Sequence, residues 1–170
     1  MFVMRKIFLS TLLIVMMIAA TALAAGWTQI YTDDNDNVVY FDTDSVTVSE
    51  IAGDRSSVTF NAKFRMDYSD KGRNALIDWY RNYSIMPADI QSLSYDVTSI
   101  NFKKEGDKRY YHIIDRTSYT ADGRSIADMH YVNNNPTWEE IPVASVVDVE
   151  YFESFLVVDG KKLKRDDADY

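Results

Sequence analysis

The chain contains no cysteine. Disulfides, thiol chemistry and cysteine-ligated metal sites are therefore excluded. A lipoprotein anchor is excluded as well, since it needs a cysteine at the cleavage point. A domain of this length buries roughly two thirds of its unfolded surface, so one ordinary core suffices without cross-links. Three prolines and six glycines are too few to build a linker, and no internal repeat divides the chain. One domain is expected. Basic residues are outnumbered, 18 against 26 acidic, which leaves a net charge of −8. An acidic protein repels phosphates, so nucleic acid is not an expected partner. After Gly26 no apolar run is long enough to cross a membrane.

The one long apolar run lies before that point. Arg5 and Lys6 precede an almost unbroken aliphatic stretch from Ile7 to Ala20, and Ala22-Leu23-Ala24 fits the small-x-small cleavage rule. Residues 1–24 therefore read as a secretory signal peptide, cut after Ala24 or Ala25. The competing reading is an uncleaved anchor. Export through the Sec pathway to the periplasm or the medium is expected, with no stable membrane insertion after cleavage. Loss of Arg5 and Lys6 takes the net charge from −8 to −10.

Residues 25–160 carry the domain, and 161–170 form a charged tail expected to fray. In "SSVTFNAKFRMDY", Val58, Phe60, Ala62, Phe64, Met66 and Tyr68 alternate with polar residues. That is a strand with one dry and one wet face, as in antiparallel sheets. A helix follows, with Leu76, Trp79, Tyr80 and Tyr83 spaced to share a face, a cap at Ser69 or Asp70, and Pro87 beyond its end. "SLSYDVTSINF" alternates through Leu93, Tyr95 and Val97, then slips to Ile100 and Phe102. The slip predicts a bulge near Thr98. "EGD" and Asp122-Gly123 make the next two turns. "WTQIY", "VVYF" and "VTV" read as shorter strands before the first helix. The fold class is α+β, with an antiparallel sheet of about six strands, a C-terminal helix on one face and a second helix between strands.

The C-terminal helix is read from "PTWEEIPVASVVDVEYFESFL". Ser145 is the N-cap and Asp148 completes a variant capping box. Val147, Tyr151, Phe152, Phe155 and Leu156 fall on one side, with Asp148 turned toward it. Glu150, Glu153 and Ser154 fall opposite. The valines also permit a strand reading.

Trp27 with Tyr31, the segment Val38–Val46 carrying Tyr40, Asp42 and Ser45, the Asp122-Gly123 turn, and the run Trp138, Ile141, Pro142, Ser145 together resemble the surface-adhesin protein E domain family. The resemblance spans nearly the whole chain after the signal. It implies an antiparallel sheet with a C-terminal helix across one face and a role in adhesion. The chain departs from the family pattern in lacking the anchor cysteine and the cysteine pair between helix and sheet, and in having Ala144 where glycine is usual. Fold does not carry function by itself. The motif positions Trp27, Tyr40, Asp42, Ser45, Trp138, Ile141, Pro142 and Ser145 are expected to be structural.

Chemistry-bearing groups are sparse. "DDNDN" gives Asp33, Asn35 and Asn37 the one-three-five spacing of a calcium loop, but Val38 stands where glycine is required, so an ordinary turn is expected. No metal or cofactor is expected. His112 and His130 are the only histidines and both fall in strands. Pairs such as Asp115 and Asp128 offer acid and base, a weak signal among so many carboxylates. Adjacent Tyr110 and Tyr111 must point to opposite sheet faces. An exposed aromatic face favours binding; alternatively, a helix covers each face. The leading expectation is a non-enzymatic exported domain with a protein partner, and a homodimer stays open. The alternative is a small periplasmic hydrolase or envelope-stress factor using His112 or His130.

Overall fold

A computed structural model describes residues 26–52 and 57–166. The expected signal segment, its cleavage site and the end of the charged tail lie outside the described residues. The described residues form one seven-stranded antiparallel sheet and two α-helices, the α+β arrangement expected from the sequence. Strands β1 (Trp27–Thr32), β2 (Val38–Ile51), β3 (Ser57–Asp67), β4 (Leu93–Glu105), β5 (Lys108–Thr120) and β6 (Ser125–Val132) lie side by side in sequence order. The seventh, β7 (Glu139–Glu140), pairs with β5 opposite Tyr110 and Tyr111. Helix α1 (Asp70–Asn82) connects β3 to β4, and α2 (Val146–Asp166) follows β7. The charged tail thus begins inside α2 rather than after it. Among the described residues no helix is long and apolar enough to cross a membrane.

The alternation in β3 decides which face is dry. Val58, Phe60, Ala62 and Phe64 are buried, and their neighbours are wetter. The ladder to β4 runs unbroken from Ser57–Glu105 to Asp67–Tyr95. Parity then places Asp96, Thr98, Ile100 and Phe102 on the same dry face. The expected bulge near Thr98 is found at Ser99–Ile100 in the pairing of β4 with β5, with its extra residue on β5 and not on β4. Strand β4 does not slip against β3; its dry face turns polar at Thr98 and Asp96. The irregularity lies in β5, where Ser99 pairs with Asp115 and Ile100 with Ile113. Ile114 is the extra residue, and it moves Arg116 and Ser118 onto the dry face.

"VVYF" and "VTV" belong to one strand, β2, bent between the pairs Asp42–Lys63 and Thr47–Asn61. The Ser45 hydroxyl holds the bend: it donates to the Asp42 carbonyl at 2.6 Å and accepts from the Lys63 N–H at 2.9 Å. The Asp42 carboxylate accepts from the Asp44 N–H at 3.1 Å.

Ser69 caps α1 by accepting from the Gly72 N–H at 2.9 Å. Ile77 is the buried contact of this helix, with Leu76 and Tyr80 half-buried beside Ile90, Leu93, Ile126 and Met129. Trp79 and Tyr83, expected on the inner face, are instead 51 % and 61 % exposed. Gly72, at the first turn of the helix, lies against the β1–β2 turn, where a Cβ would collide with the Asn37 side chain.

Helix α2 starts as expected and is rotated from the expected phase. The Ser145 hydroxyl accepts from the Asp148 N–H at 3.2 Å, and the Asp148 carboxylate accepts from the Ala144 N–H at 2.9 Å. The same carboxylate pairs with Arg109 of β5. That tie turns Val147, Glu150, Tyr151, Ser154, Phe155 and Val158 inward. Phe152 and Leu156, expected in the core, are 53 % and 66 % exposed, and Glu150 and Ser154, expected outside, are buried. Tyr151 packs against Phe60 and Phe102 and stacks on Phe155 at 5.5 Å. Ser154 fits at full burial because it is small and returns its hydroxyl to the Glu150 carbonyl at 2.8 Å.

Both helices lie over the same face. Leu76 and Tyr80 of α1 line a cavity with Asp96 and Ser118, and Val147 and Glu150 of α2 line a second with Asp96 and Thr98. The alternative of one helix per face is therefore overturned.

Two predictions follow from the seat of α2. Tyr151→Ala should cost roughly 3–5 kcal/mol in chemical denaturation, by analogy with other large-to-small core changes. Phe152→Ala and Leu156→Ala should each stay within about 1 kcal/mol. Ala144 has φ +61°, the left-handed conformation that favours glycine. It is the third residue of the turn closed by the Ser145 N–H on the Pro142 carbonyl at 3.3 Å. Ala144→Gly should stabilise the protein by roughly 0.5–1 kcal/mol in the same assay.

Candidate functional site

The space between α1 and α2, over β4 and β5, is the candidate site. It has two chambers. The larger, about 530 Å³, is lined by Tyr68, Tyr80, Asp96, Arg116, Ser118 and Tyr131 among others. It reaches the part of β5 between its pairings with β7 and β6, where His112 and His130 contribute to the lining. The smaller, about 140 Å³, lies under the first turns of α2 and shares Tyr68, Asp96 and Arg116 while adding Glu150.

Each polar group is placed by a local feature. Asp96 and Thr98 sit on the dry face through β4's unbroken pairing to β3. Arg116 joins them because of the extra Ile114, and its Nε–H donates to Thr98 Oγ1 at 3.3 Å. Glu150 enters through the rotation of α2. The Tyr68 hydroxyl donates to Asp96 Oδ2 at 2.7 Å. Burial and the Asp96 charge both raise the Tyr68 pKa, keeping its proton in place to donate. Asp96 Oδ1 is buried without a donor in hydrogen-bonding geometry, although the Ser118 hydroxyl stands near. Burial raises the Asp96 pKa, and the Ser118 and Tyr68 hydroxyls and the Arg116 charge oppose the rise. Glu150 is 7 % exposed, and among the described residues its carboxyl has no hydrogen-bond or ion-pair partner. Burial pushes its pKa up to about 8, against the pull of Arg116.

The residues expected from sequence lie elsewhere. Trp27 faces Asp42 across β1 and β2, and Tyr40 pairs with Gln29 and Arg65. Asp42 and Ser45 build the bend of β2. Ile141 is buried in the main core, Pro142 opens the turn before α2, and Ser145 caps it. Trp138 packs edge-on against His112 with ring centres 4.3 Å apart. His112 Nε2 lies 3.1 Å from Asn101 Nδ2, its Nδ1 is buried without a partner, and burial lowers its pKa. His130 Nδ1 bonds the Thr117 hydroxyl at 2.8 Å. Among the described residues neither histidine bonds a carboxylate, so no acid–base relay is assembled around them there. Asp128 accepts from the Ala88 N–H at 3.2 Å, which holds the loop after α1.

The oxygen-rich turn is spent on itself. Asp33 accepts from the N–H groups of Asn35 and Asn37 and from the Asn37 side chain, each at 2.9 Å. The Ser69 hydroxyl donates to the Asn35 carbonyl at 2.5 Å, which docks the turn on α1. Among the described residues no group of three or more potential ligating side chains is placed to hold a metal ion.

Sequence reasoning missed the cleft. The available signal was the pair Asp96 and Thr98, at the parity of Ile100 and Phe102, combined with Glu150 on the helix that covers them.

Glu150 generates a pH prediction. Its pKa is about 8 when folded and near the ordinary 4.5 when unfolded, so the folded state holds the extra proton. Stability is unaffected by this group below about pH 4.5, falls as pH rises toward 8, and is lowest above 8. The loss is on the order of a few kcal/mol. The groups facing Glu150 are Tyr31 on β1 and Tyr111 and Arg116 on β5. Glu150→Gln should match the parent near pH 5 and exceed it in denaturation midpoint near pH 9. Parallel curves from pH 5 to 9 would show that the carboxyl ionises freely in place.

No family model matches this chain, and no match to it is found among curated proteins or solved structures.

Proposed function

We propose that this protein is an exported, non-enzymatic binding domain of the surface-adhesin protein E type, which engages a protein partner through the sheet face opposite the two helices. One observation carries the reading: both helices lie over the same face, so the other is left to aromatic and polar side chains. Tyr95 stacks on Tyr119 at 5.0 Å, and the Arg65 guanidinium lies 3.9 Å above the Tyr95 ring. Tyrosine and arginine grouped in this way are typical of protein-binding hot spots. Trp138, 39 % exposed beside His112, adds a further aromatic ring. The N-terminal segment supports export, and histidines bonded to Asn101 and Thr117 rather than to a carboxylate support binding over hydrolysis.

The experiment is a pull-down of the exported form against envelope and host-matrix extracts, with intact mass confirming a start at Ala25 or Gly26. Tyr95→Ala combined with Tyr119→Ala should abolish capture of the partner and leave the circular dichroism spectrum unchanged. Capture that survives this double change rejects the face. Ester or peptide hydrolysis lost on His112→Ala or His130→Ala rejects the non-enzymatic reading.

A further inference from the structure

We propose that the cleft between α1 and α2 binds a free α-amino acid with an apolar side chain, held by Arg116 on its carboxylate and by Glu150 on its ammonium group. The argument starts from groups that share the smaller chamber without bonding one another. Arg116, Asp96 and Glu150 all line it, and none of the three is ion-paired with another. Arg116 uses one N–H on Thr98, which leaves the rest of its donor fork for an acceptor. Glu150 is more than nine-tenths buried with no donor at its carboxyl, and Asp96, 5 % exposed, carries an oxygen without one. Unpaired buried carboxyls are costly to keep.

A single group that satisfies the chamber must therefore accept from the guanidinium and donate to the acids. An anion alone would meet Arg116 and be repelled by Asp96. A cation alone would meet the acids and be repelled by Arg116. A molecule carrying both signs on one carbon meets each, and its ammonium holds the Glu150 carboxyl ionised. The remaining wall is apolar, with Val39, Phe64, Ile100, Ile113 and Val147. This suits a hydrocarbon side chain. The adjoining larger chamber gives the ligand room and a way in.

The site is distinct from the sheet face proposed for the protein partner, and neither depends on the other. The test is calorimetric titration and amide NMR of the exported chain with leucine, followed by the other standard α-amino acids. Two half-ligands serve as controls: 3-methylbutylamine lacks the carboxylate, and 4-methylpentanoate lacks the ammonium. Leucine or a close apolar relative should bind and shift the amides around Arg116 and Glu150. Both half-ligands should bind at least about tenfold more weakly, the equivalent of about 1.4 kcal/mol each. Arg116 is exposed, so Arg116→Gln should fold and lose at least about tenfold in affinity. Arg116→Lys, which keeps the charge without the fork, gives the same reading should the glutamine variant misfold. No response to any amino acid overturns the proposal. So does undiminished binding by either half-ligand, or unchanged affinity in the Arg116 variants.

Discussion

The Arg109–Asp148 ion pair fixes the rotation of α2, and much of the molecule depends on that rotation. Asp148 is nearly buried and serves three partners at once: the guanidinium of Arg109, the Ala144 N–H and, through its own N–H, the Ser145 hydroxyl. A carboxylate at the first turn of a helix is favoured by the free amides there. Tying it to β5 converts that local preference into a tertiary constraint. The helix can then present only one stripe to the sheet. The guanidinium also lies 4.8 Å from the Phe152 ring, so the phenyl group excluded from the core still has a contact.

Strand β3 and the C-terminal cap were legible in the sequence, because each is set by nearest neighbours. Period-two hydropathy identifies a strand with one dry face, and Ser145 followed by Asp148 marks a helix start whatever lies beyond. The rotation of α2 was not legible. Hydropathy alone places Phe152 inside and Glu150 outside, and the opposite arrangement is imposed by Arg109, which lies 39 residues away in sequence. The same limit applies to α1, where the spacing places Trp79 and Tyr83 inside and the fold buries Ile77 instead.

The cleft was hidden for a related reason. In β4 the apolar pattern of the sequence loses its phase, and a bulge is the ordinary cause. Here the backbone keeps its register with β3 and the chemistry of the dry face changes instead. Asp96 and Thr98 stand where a core would have aliphatic groups, and the true bulge, at Ile114 in β5, brings Arg116 to meet them. A break in hydropathy thus has two physical origins, a shift of the backbone or a change of surroundings, and only the partner strands distinguish them.

Placing both helices on one face divides the dry side into two apolar clusters. One lies under α2, around Phe60, Phe102 and Tyr151, and the other under α1, around Ile77, Leu93 and Ile126. Polar side chains, rather than a shared aliphatic seam, fill the ground between them. Each helix can therefore lift from its own cluster without pulling on the other, while the long β3–β4 and β4–β5 ladders stay closed. Slow amide exchange should be shared by those central strands, with the two helices exchanging as separate units of lower protection. The molecule is one sheet with two separately seated covers.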